Sequence, residues 1–219
     1  MTTRQKGESA KYFFMCTQKG TVKKTTLEEY ANIRKNGLVA IKLDAGDKLG
    51  WVSPTSGDND LIIVSNLGKS IRFSEKQVKP THRDTSGVRG IRLGKDDQVV
   101  SLSMIDSDDA QLLVIMENGL GKKTRFSAWT RQSRGGQGVK AAQVTQKTGS
   151  IVTAQAITEE MDTLVLTSTK GQLIKMDLKE VPTLQRQTQG VILMRVRSGE
   201  KVAAATVVSS KDKTEDNKK

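Results

Sequence analysis

The sequence repeats itself about every fifty residues, and this periodicity constrains the fold more than any other feature. Each of four units contains an apolar run that ends in a glycine turn. The four turn glycines lie 48, 51 and 52 residues apart, at Gly20, Gly68, Gly119 and Gly171. A second glycine follows after 17 to 19 residues, at Gly37, Gly87, Gly138 and Gly190. A fixed period of this length indicates an array of stacked structural units.

The pattern within each unit predicts β structure. The apolar runs are rich in Val, Ile, Leu and Phe and flank short turns that contain glycine, which is typical of β-hairpins. Because these runs do not alternate with polar residues, both faces of each strand are expected to be covered. We predict an all-β fold, a propeller-like array of four blades with about four short strands each. Helix is expected only near residues 27–35.

The repeat also predicts the domain organisation. The blades are expected at about 11–58, 59–109, 110–161 and 162–209. The two ends, 1–10 and 210–219, are polar and charged with nothing to bury, and we expect both to be disordered.

Composition indicates the class of partner. The chain has 36 Lys and Arg against 24 Asp and Glu, a formal net charge of +12, so a partner with dense negative charge is expected. A single histidine, His82, and a single cysteine, Cys16, exclude a zinc finger or a His-rich metal centre. Both tyrosines are interpreted as structural, since Tyr12 starts an apolar strand and Tyr30 occupies a core position. We therefore expect a binding module without a catalytic site or cofactor of its own, and a cytoplasmic location.

Basic residues recur in register with the repeat. One set lies on the second strand of each predicted hairpin: Lys23, Lys24, Arg72, Lys122, Lys123 and Lys175. Another set lies three or four residues before the second glycine: Arg34, Arg83, Arg134 and Arg186. One cation at the same place in every blade predicts a ring or stripe of charge that follows a phosphate backbone. The alternative is that these lysines mark solvated strand edges and block unwanted strand pairing.

Residues 132–138 read QSRGGQG, which resembles a motif of a known family. The C-terminal domain of bacterial DNA gyrase A carries a box of the form Q-R/K-R-G-G-R/K-G. Other stretches are similar to that family as well, and together they cover about residues 11–208: GTVKKTTLEEY, GLVAIKLDAGD, SGVRGIRLGKDDQVVSL, ENGLGKKT and QTQGVILMRV.

The resemblance implies a six-bladed β-pinwheel whose blades exchange strands and whose basic rim wraps duplex DNA. It implies that one loop binds DNA, made of Gln132, Arg134, Gly135, Gly136, Gln137 and Gly138. The implied partners are double-stranded DNA, the rest of gyrase A, and gyrase B, and ATP would be bound only elsewhere in the holoenzyme. This chain departs from the family in having four units, which match the last four blades. Ser133 and Gln137 stand where the box carries cations.

Three functions remain open at this point. The first is sequence-nonspecific binding and wrapping of duplex DNA in a gyrase-type topoisomerase. The second is the equivalent domain of topoisomerase IV, and the intact glycine pair favours gyrase over it. The third is a propeller-like scaffold for protein interactions. The sequence also leaves open whether the four units close into a ring.

Overall fold

A computed structural model describes residues 10–32, 35–105 and 107–209. The described residues form fifteen β-strands and four short 3-10 helices. The strands are β1 (Tyr12–Thr17), β2 (Thr21–Thr26), β3 (Leu49–Thr55), β4 (Asp60–Ser65), β5 (Lys69–Ser74), β6 (Val88–Arg89), β7 (Val99–Ile105), β8 (Gln111–Met116), β9 (Leu120–Arg125), β10 (Val139–Lys140), β11 (Ile151–Ile157), β12 (Thr163–Ser168), β13 (Leu173–Asp177), β14 (Val191–Ile192) and β15 (Val202–Val208). The helices are Leu27–Tyr30, Glu75–Gln77, Phe126–Ala128 and Leu178–Glu180.

Each unit contributes three antiparallel strands to one sheet. The first two strands form the predicted hairpin, and its turn is closed by the N–H of the turn glycine, as in the 3.0 Å bond from Gly20 to the Thr17 carbonyl. The third strand pairs with the other side of the first, so β1, β4, β8 and β12 are central strands. We number the sheets 1 to 4 in chain order.

A two-residue strand completes sheets 1 to 3, and it comes from the following unit. In this way β6 pairs with β2, β10 with β5 and β14 with β9. Sheet 4 has three strands in the order β13-β12-β15. This exchange confirms the strand swapping that the family resemblance implied. We call the two-residue strands donor strands and their partners β2, β5 and β9 acceptor strands.

The apolar core lies between successive sheets. Phe14 of β1 and Leu61 of β4 belong to one buried cluster, Ile62 of β4 and Val114 of β8 to the next, and Leu113 of β8 and Leu164 of β12 to the third. Successive residues of β4 and β8 therefore point into different clusters, which explains why these runs are apolar throughout. The all-β, propeller-like fold predicted from the sequence is confirmed.

The helix expected near residues 27–35 is one short 3-10 turn at Leu27–Tyr30. An equivalent turn follows the hairpin in every other unit, and the sequence did not predict those three. A turn of three or four residues carries no helical periodicity, so pattern reasoning cannot detect it. None of the helices among the described residues is long and apolar enough to cross a membrane. The predictions of disordered ends at 1–10 and 210–219 fall almost entirely outside the described residues.

Candidate nucleic-acid interface

The loop at residues 132–138, which we call the box loop, lies across the boundary between sheets 1 and 2. Its first residue, Gln132, donates its backbone N–H to the carbonyl of Arg72 on β5 at 2.8 Å. At its centre, the Gly135 N–H donates to the Gly90 carbonyl at 2.6 Å, and the Gly136 carbonyl accepts from the Arg92 N–H at 2.8 Å. Backbone bonds on both sides therefore fix the loop before any ligand binds.

Two of its glycines are required by the backbone path. Gly135 and Gly138 have φ angles of +79° and +66°, a region that other residues rarely adopt. A Cβ atom at Gly138 would collide with the Ser70 carbonyl oxygen of β5. A Cβ atom at Gly135 would lie 3.3 Å from the Arg89 carbonyl oxygen. Glycine thus lets the loop lie directly against the exchanged strand β6 and the acceptor strand β5.

Arg134 is held in place by three hydrogen bonds. Its backbone N–H donates to Gln77 Oε1 at 2.8 Å and its Nε to the Gln77 carbonyl at 2.9 Å. Its Nη1 donates to the Arg89 carbonyl at 3.1 Å. The side chain is half-buried. A guanidinium carries five N–H donors, so this anchored group keeps donors for a phosphate.

The equivalent arginines in the neighbouring units make the same contact. Arg83 Nη1 donates to the Val39 carbonyl at 3.3 Å, and Arg186 Nη1 donates to the Lys140 carbonyl at 2.5 Å. In all three units the accepting carbonyl lies two residues after the second glycine of the preceding unit. These arginines therefore join successive units, a structural role that their charge alone did not indicate. Arg34, the first of the predicted set, lies outside the described residues.

Most of the cations predicted on the second hairpin strands are not on the surface. Their exposed fractions are 1% for Lys23, 4% for Lys24, 9% for Arg72 and 0% for Lys122. Lys123 is half-buried, and Lys175 is the exposed member of the set. The expected surface ring of charge does not fit this placement, because four of its six members are covered by the next unit.

The buried amines each hold a loop of the following unit. Lys23 Nζ donates to the Arg83 carbonyl of unit 2 at 2.5 Å, and also to the Ala40 carbonyl of its own unit at 3.1 Å. Lys122 Nζ donates to the carbonyls of Gln185 at 2.8 Å and Arg186 at 2.5 Å, and to the Thr188 hydroxyl at 3.2 Å. With its three N–H groups already donated in this way, the Lys122 ammonium has none left for a phosphate.

Lys24 and Lys123 act in the same way towards the 3-10 turns. Lys24 Nζ donates to the Glu75 carbonyl at 3.0 Å, and Lys123 Nζ donates to the Leu178 carbonyl at 2.9 Å. Burial lowers the pKa of Lys23, Lys24 and Lys123, and it lowers the pKa of Lys122 to about 8. Removal from water disfavours the charged amine, so these groups are weaker cations than surface lysines.

Arg72 fills the corresponding place at the boundary between sheets 2 and 3. Its guanidinium bonds Asp60 through Nε at 3.1 Å and Nη2 at 2.9 Å, and Nη2 lies 2.7 Å from Asp108. Nη1 donates to the carbonyls of Phe126 and Trp129. A buried guanidinium with all these partners is a structural group, and it also accounts for the buried Asp60.

Sequence reasoning missed a second set of cations, which is exposed around the box loop: Arg89, Arg92, Arg131 and Lys140. Arg89 packs its Cβ and Cγ beside Gly135. Arg92 lies five residues after a second glycine, and the same count gives the exposed Lys42 in unit 1 and Arg195 in unit 4. This register was available in the sequence and would have found Arg92, although not Arg89, Arg131 or Lys140. Gln137 and Gly136 are also exposed, so the outer side of the loop is open to a ligand.

Comparison with known proteins identifies the family. The family model described as DNA gyrase C-terminal domain, beta-propeller, matches residues 11–56, 59–106, 111–158 and 162–209. The chain is 40% identical over 189 residues to DNA gyrase A of Pseudomonas aeruginosa, covering 86% of this chain and 20% of that protein. It is 37% identical over 209 residues to DNA gyrase A of Aminobacterium colombiense, covering 95% of this chain and 25% of that protein. The chain thus spans a quarter or less of these relatives.

A solved structure shows the same fold. The C-terminal domain of DNA topoisomerase IV superposes with a TM-score of 0.87 at 26% identity, over 95% of this chain and 65% of that one. Its match extends through all four sheets. Together with the four matched repeats and the exchanged strands, it shows that the chain belongs to the family of DNA gyrase C-terminal domains.

Proposed function

We propose that this chain binds duplex DNA without sequence preference through a surface centred on the box loop. The observation that carries the proposal is a rigid, exposed glycine loop surrounded by the exposed cations Arg89, Arg92, Arg131 and Lys140. A net charge of +12 adds a general attraction for a polyanion. Glycines without side chains let a phosphate approach the backbone closely, and the arginines supply forked donors.

The proposed DNA-binding set differs from the one drawn from sequence. It keeps Arg134, Gly135, Gly136 and Gln137, and it adds the four exposed cations around the loop. Gln132 and Gly138 position the loop through backbone contacts with β5. The buried lysines and Arg72 contribute indirectly, because they hold the units together. Lys42, Lys175 and Arg195 extend the cationic surface to other units.

We further propose that the bound duplex is bent. Bending a site of 20 to 30 base pairs by 40° to 90° costs on the order of 1 to 6 kcal/mol, so several phosphate contacts must act together to offset it. Exposed cations that recur in successive units provide such contacts along a curved path. In the holoenzyme this would present DNA for strand passage, with the rest of gyrase A, and gyrase B, as partners.

Cleavage of DNA is assigned to another part of the holoenzyme. The Tyr30 hydroxyl donates to the Ala40 carbonyl at 3.2 Å, and burial raises its pKa. The Tyr12 ring lies 5.1 Å from Lys24 Nζ within the boundary between sheets 1 and 2. None of the described hydrogen bonds joins either hydroxyl to the box loop. The gyrase role is preferred to that of topoisomerase IV because the glycine pair of the box, Gly135 and Gly136, is intact, and Gly135 supplies the positive φ of the loop.

The test compares Arg134→Ala with Arg186→Ala. Both substitutions remove an arginine that bonds the preceding unit, so their structural costs are matched, whereas only Arg134 belongs to the box loop. DNA affinity is measured with a duplex of about 40 base pairs from roughly 50 to 200 mM salt, where each phosphate contact adds about −0.9 to the slope of log K against log salt.

We expect a slope of about −4 or steeper for the unaltered chain. Arg134→Ala should weaken binding several-fold more than Arg186→Ala, with thermal unfolding confirming that both variants fold. Equal losses would refute the assignment to the box loop. Weak binding with a shallow slope would favour the protein-interaction scaffold instead.

A further inference from the structure

One residue of unit 2 bonds the box loop through its side chain. Gln77 ends the 3-10 turn Glu75–Gln77 and is exposed. Its Oε1 accepts from the Arg134 backbone N–H at 2.8 Å, and its Nε2 donates to the Gln132 carbonyl at 3.1 Å. An amide is both donor and acceptor, so one side chain satisfies two backbone groups at the start of the loop. We call this pair of bonds the amide clamp.

The backbone of Gln77 holds the side chain of Arg134. The Gln77 carbonyl accepts from Arg134 Nε at 2.9 Å, and the Arg89 carbonyl accepts from Nη1 at 3.1 Å. None of the described hydrogen bonds uses Nη2, and none of the described ion pairs includes Arg134. The guanidinium is therefore fixed in direction by neutral carbonyls while its charge has no described partner.

The residue at the place of Gln77 differs between the units. The position before the apolar residue that lies ten after the turn glycine is Glu29 in unit 1, Gln77 in unit 2 and Ala128 in unit 3. The Ala128 carbonyl accepts from Arg186 Nε at 3.2 Å, as the Gln77 carbonyl does from Arg134. Alanine has no polar side chain, so loop 184–190 has the backbone bond to its arginine but no amide clamp.

In unit 1 a charged side chain reaches the following loop. Glu29 Oε1 lies 2.7 Å from His82 Nδ1 of loop 81–87. This bond is the main cause that lowers the pKa of Glu29, and the Arg83 backbone N–H lowers it further. A carboxylate thus stands beside the arginine of loop 81–87, where the box loop has a neutral amide. A negative charge at this distance weakens the attraction of the loop for a phosphate.

We propose that Gln77 is a positioning residue for DNA binding, whose neutral amide clamps the box loop and leaves the charge of Arg134 free for a phosphate. The inference rests on the proposed function of the box loop. It separates two properties of one side chain. Its hydrogen bonds hold the backbone of the loop, and its lack of charge preserves the attraction between Arg134 and DNA.

Two substitutions remove these properties one at a time. Gln77→Met has a side chain of similar length and no charge, but it can form neither bond of the clamp. Gln77→Glu keeps an acceptor for the Arg134 N–H and places a negative charge beside that residue. Because the Gln77 side chain is exposed, both variants should fold, and urea denaturation checks this.

The first experiment needs no DNA. Amide hydrogen exchange of the 219-residue chain is followed by NMR for the N–H groups of Arg134 and Gly135. In Gln77→Met the Arg134 N–H should exchange about ten-fold faster than in the unaltered chain, and in Gln77→Glu its rate should change little. The Gly135 N–H donates to the Gly90 carbonyl and is the internal reference. One Arg134 rate in all three proteins would contradict the clamp.

The second experiment measures affinity for a duplex of about 40 base pairs from roughly 50 to 200 mM salt. Gln77→Glu should weaken binding about ten-fold at the lowest salt and make the slope of log K against log salt shallower by about 0.9, the value of one phosphate contact. Gln77→Met should weaken binding about three-fold, the worth of a neutral hydrogen bond, and leave the slope nearly unchanged. A purely structural role for Gln77 would not change the slope in Gln77→Glu alone.

Gln98→Glu is the matched control for net charge. Gln98 is an exposed glutamine of the same unit, and its described bonds join its backbone to Asn66. The control adds the same charge away from the box loop, so screening by salt should limit its effect to about two-fold or less. Equal losses of affinity in Gln77→Glu and Gln98→Glu would refute the proposal.

Glu29→Gln makes the reciprocal change in unit 1. It removes the carboxylate beside loop 81–87, so DNA affinity should rise about two-fold and the salt dependence should become steeper. The gain is expected to be small because Asp84 of that loop remains. Glu28→Gln removes the same charge from the exposed neighbouring residue and is the control. An equal rise in both variants would contradict the role given to the charge at this place.

The outcomes distinguish this inference from the proposed function. If Arg134→Ala weakens DNA binding and neither Gln77 variant does, the box loop binds DNA and the role of Gln77 is refuted. If Arg134→Ala weakens binding no more than Arg186→Ala, the box loop is not the DNA-binding surface, and the inference fails with it.

Discussion

The box loop and its two equivalents, residues 81–87 and 184–190, occupy the same place in the repeat but are built differently. In the two equivalents a threonine closes the turn. Thr85 Oγ1 donates to the His82 carbonyl at 2.7 Å, and Thr188 Oγ1 donates to the Gln185 carbonyl at 2.8 Å. A buried lysine of the preceding unit lies beneath each of these loops and bonds the carbonyl of its arginine.

The box loop has neither the threonine bond nor the buried lysine. Gly136 stands where the other loops have threonine, and the buried Ile71 stands where the other units have Lys23 and Lys122. Its backbone instead turns through positive φ at Gly135 and bonds the Gly90 carbonyl directly. The difference teaches that a threonine and a buried lysine hold two of the loops, whereas the box loop is held by the backbone bond of Gly135 together with Gln77 and Arg134, and its Gly136 and Gln137 stay exposed.

The largest effect is expected from Gly138→Ala. The new Cβ atom would collide with the Ser70 carbonyl and would strain a backbone with positive φ, so the pairing of β10 with β5 should be lost. We expect the free energy of unfolding to fall by about 3 to 4 kcal/mol, as measured by urea denaturation.

Gly37→Ala is the matched control for this substitution. Gly37 has a similar φ of +74° but open space around it, so the change should cost only about 1 kcal/mol of backbone strain. Equal losses at the two sites would mean that close approach to β5 contributes nothing to the box loop.

The second effect concerns the lysine beneath loop 184–190 and depends on pH. The folded chain releases the Lys122 proton near its lowered pKa of about 8, whereas the unfolded chain keeps it until pH 10.5. The unfolded state therefore binds more protons between these values, and the free energy of unfolding should rise with pH in this window. We expect a rise of about 2 kcal/mol from this group.

Lys122→Ile gives this loop the residue that lies beneath the box loop. The variant lacks the titrating amine, so its stability should rise less than that of the unaltered chain between pH 8 and 10.5. Urea denaturation at several pH values measures the difference. If the free energy of unfolding changes with pH in parallel for the two proteins, Lys122 titrates normally. The proposed difference between a buried lysine beneath loop 184–190 and the apolar Ile71 beneath the box loop would then be refuted.

The same comparison explains what the sequence could and could not predict. The glycine period and the apolar runs were enough for the hairpins and for sheets covered on both faces, because these depend on local pattern. The position of Lys122 depends on carbonyls of Gln185 and Arg186, more than sixty residues away. A lysine in a strand reads as exposed unless those acceptors are known, so the burial of the strand cations could not be derived from their register.

Of the exposed cations around the box loop, only Arg92 was accessible to sequence reasoning through a repeat register. Arg92 and Arg195 lie at one fixed distance from the second glycine, as regularly as the buried set does. What the sequence lacked was a reason to prefer one register over the other. That reason comes from strand exchange, which covers the second hairpin strand, whereas the residues that follow the donor strands, Arg92 and Arg195 among them, stay at the surface.

The smallest effect is expected from exchanging the loops themselves. Gly135→Gln with Gly136→Thr converts the box loop to the pattern of loop 184–190 without changing the net charge. Glutamine disfavours the positive φ at position 135. The new threonine hydroxyl can donate to the carbonyl three residues before it, as Thr85 and Thr188 do, so the outer side of the loop should become less open. DNA affinity at matched salt should fall about five-fold, which corresponds to roughly 1 kcal/mol.

The reciprocal variant, Gln187→Gly with Thr188→Gly, tests whether the glycine backbone is enough for DNA binding or whether the residue beneath the loop also matters. It gives unit 4 the glycine pair but leaves Lys122 beneath the loop, where it still bonds the carbonyls of Gln185 and Arg186. If the backbone path alone makes a DNA-binding loop, affinity should rise. If the apolar support of Ile71 is also required, affinity should stay unchanged until Lys122→Ile is added. If Gly135→Gln with Gly136→Thr binds DNA as tightly as the unaltered chain, the cations around the box loop are sufficient for DNA binding and the glycine pair is not needed.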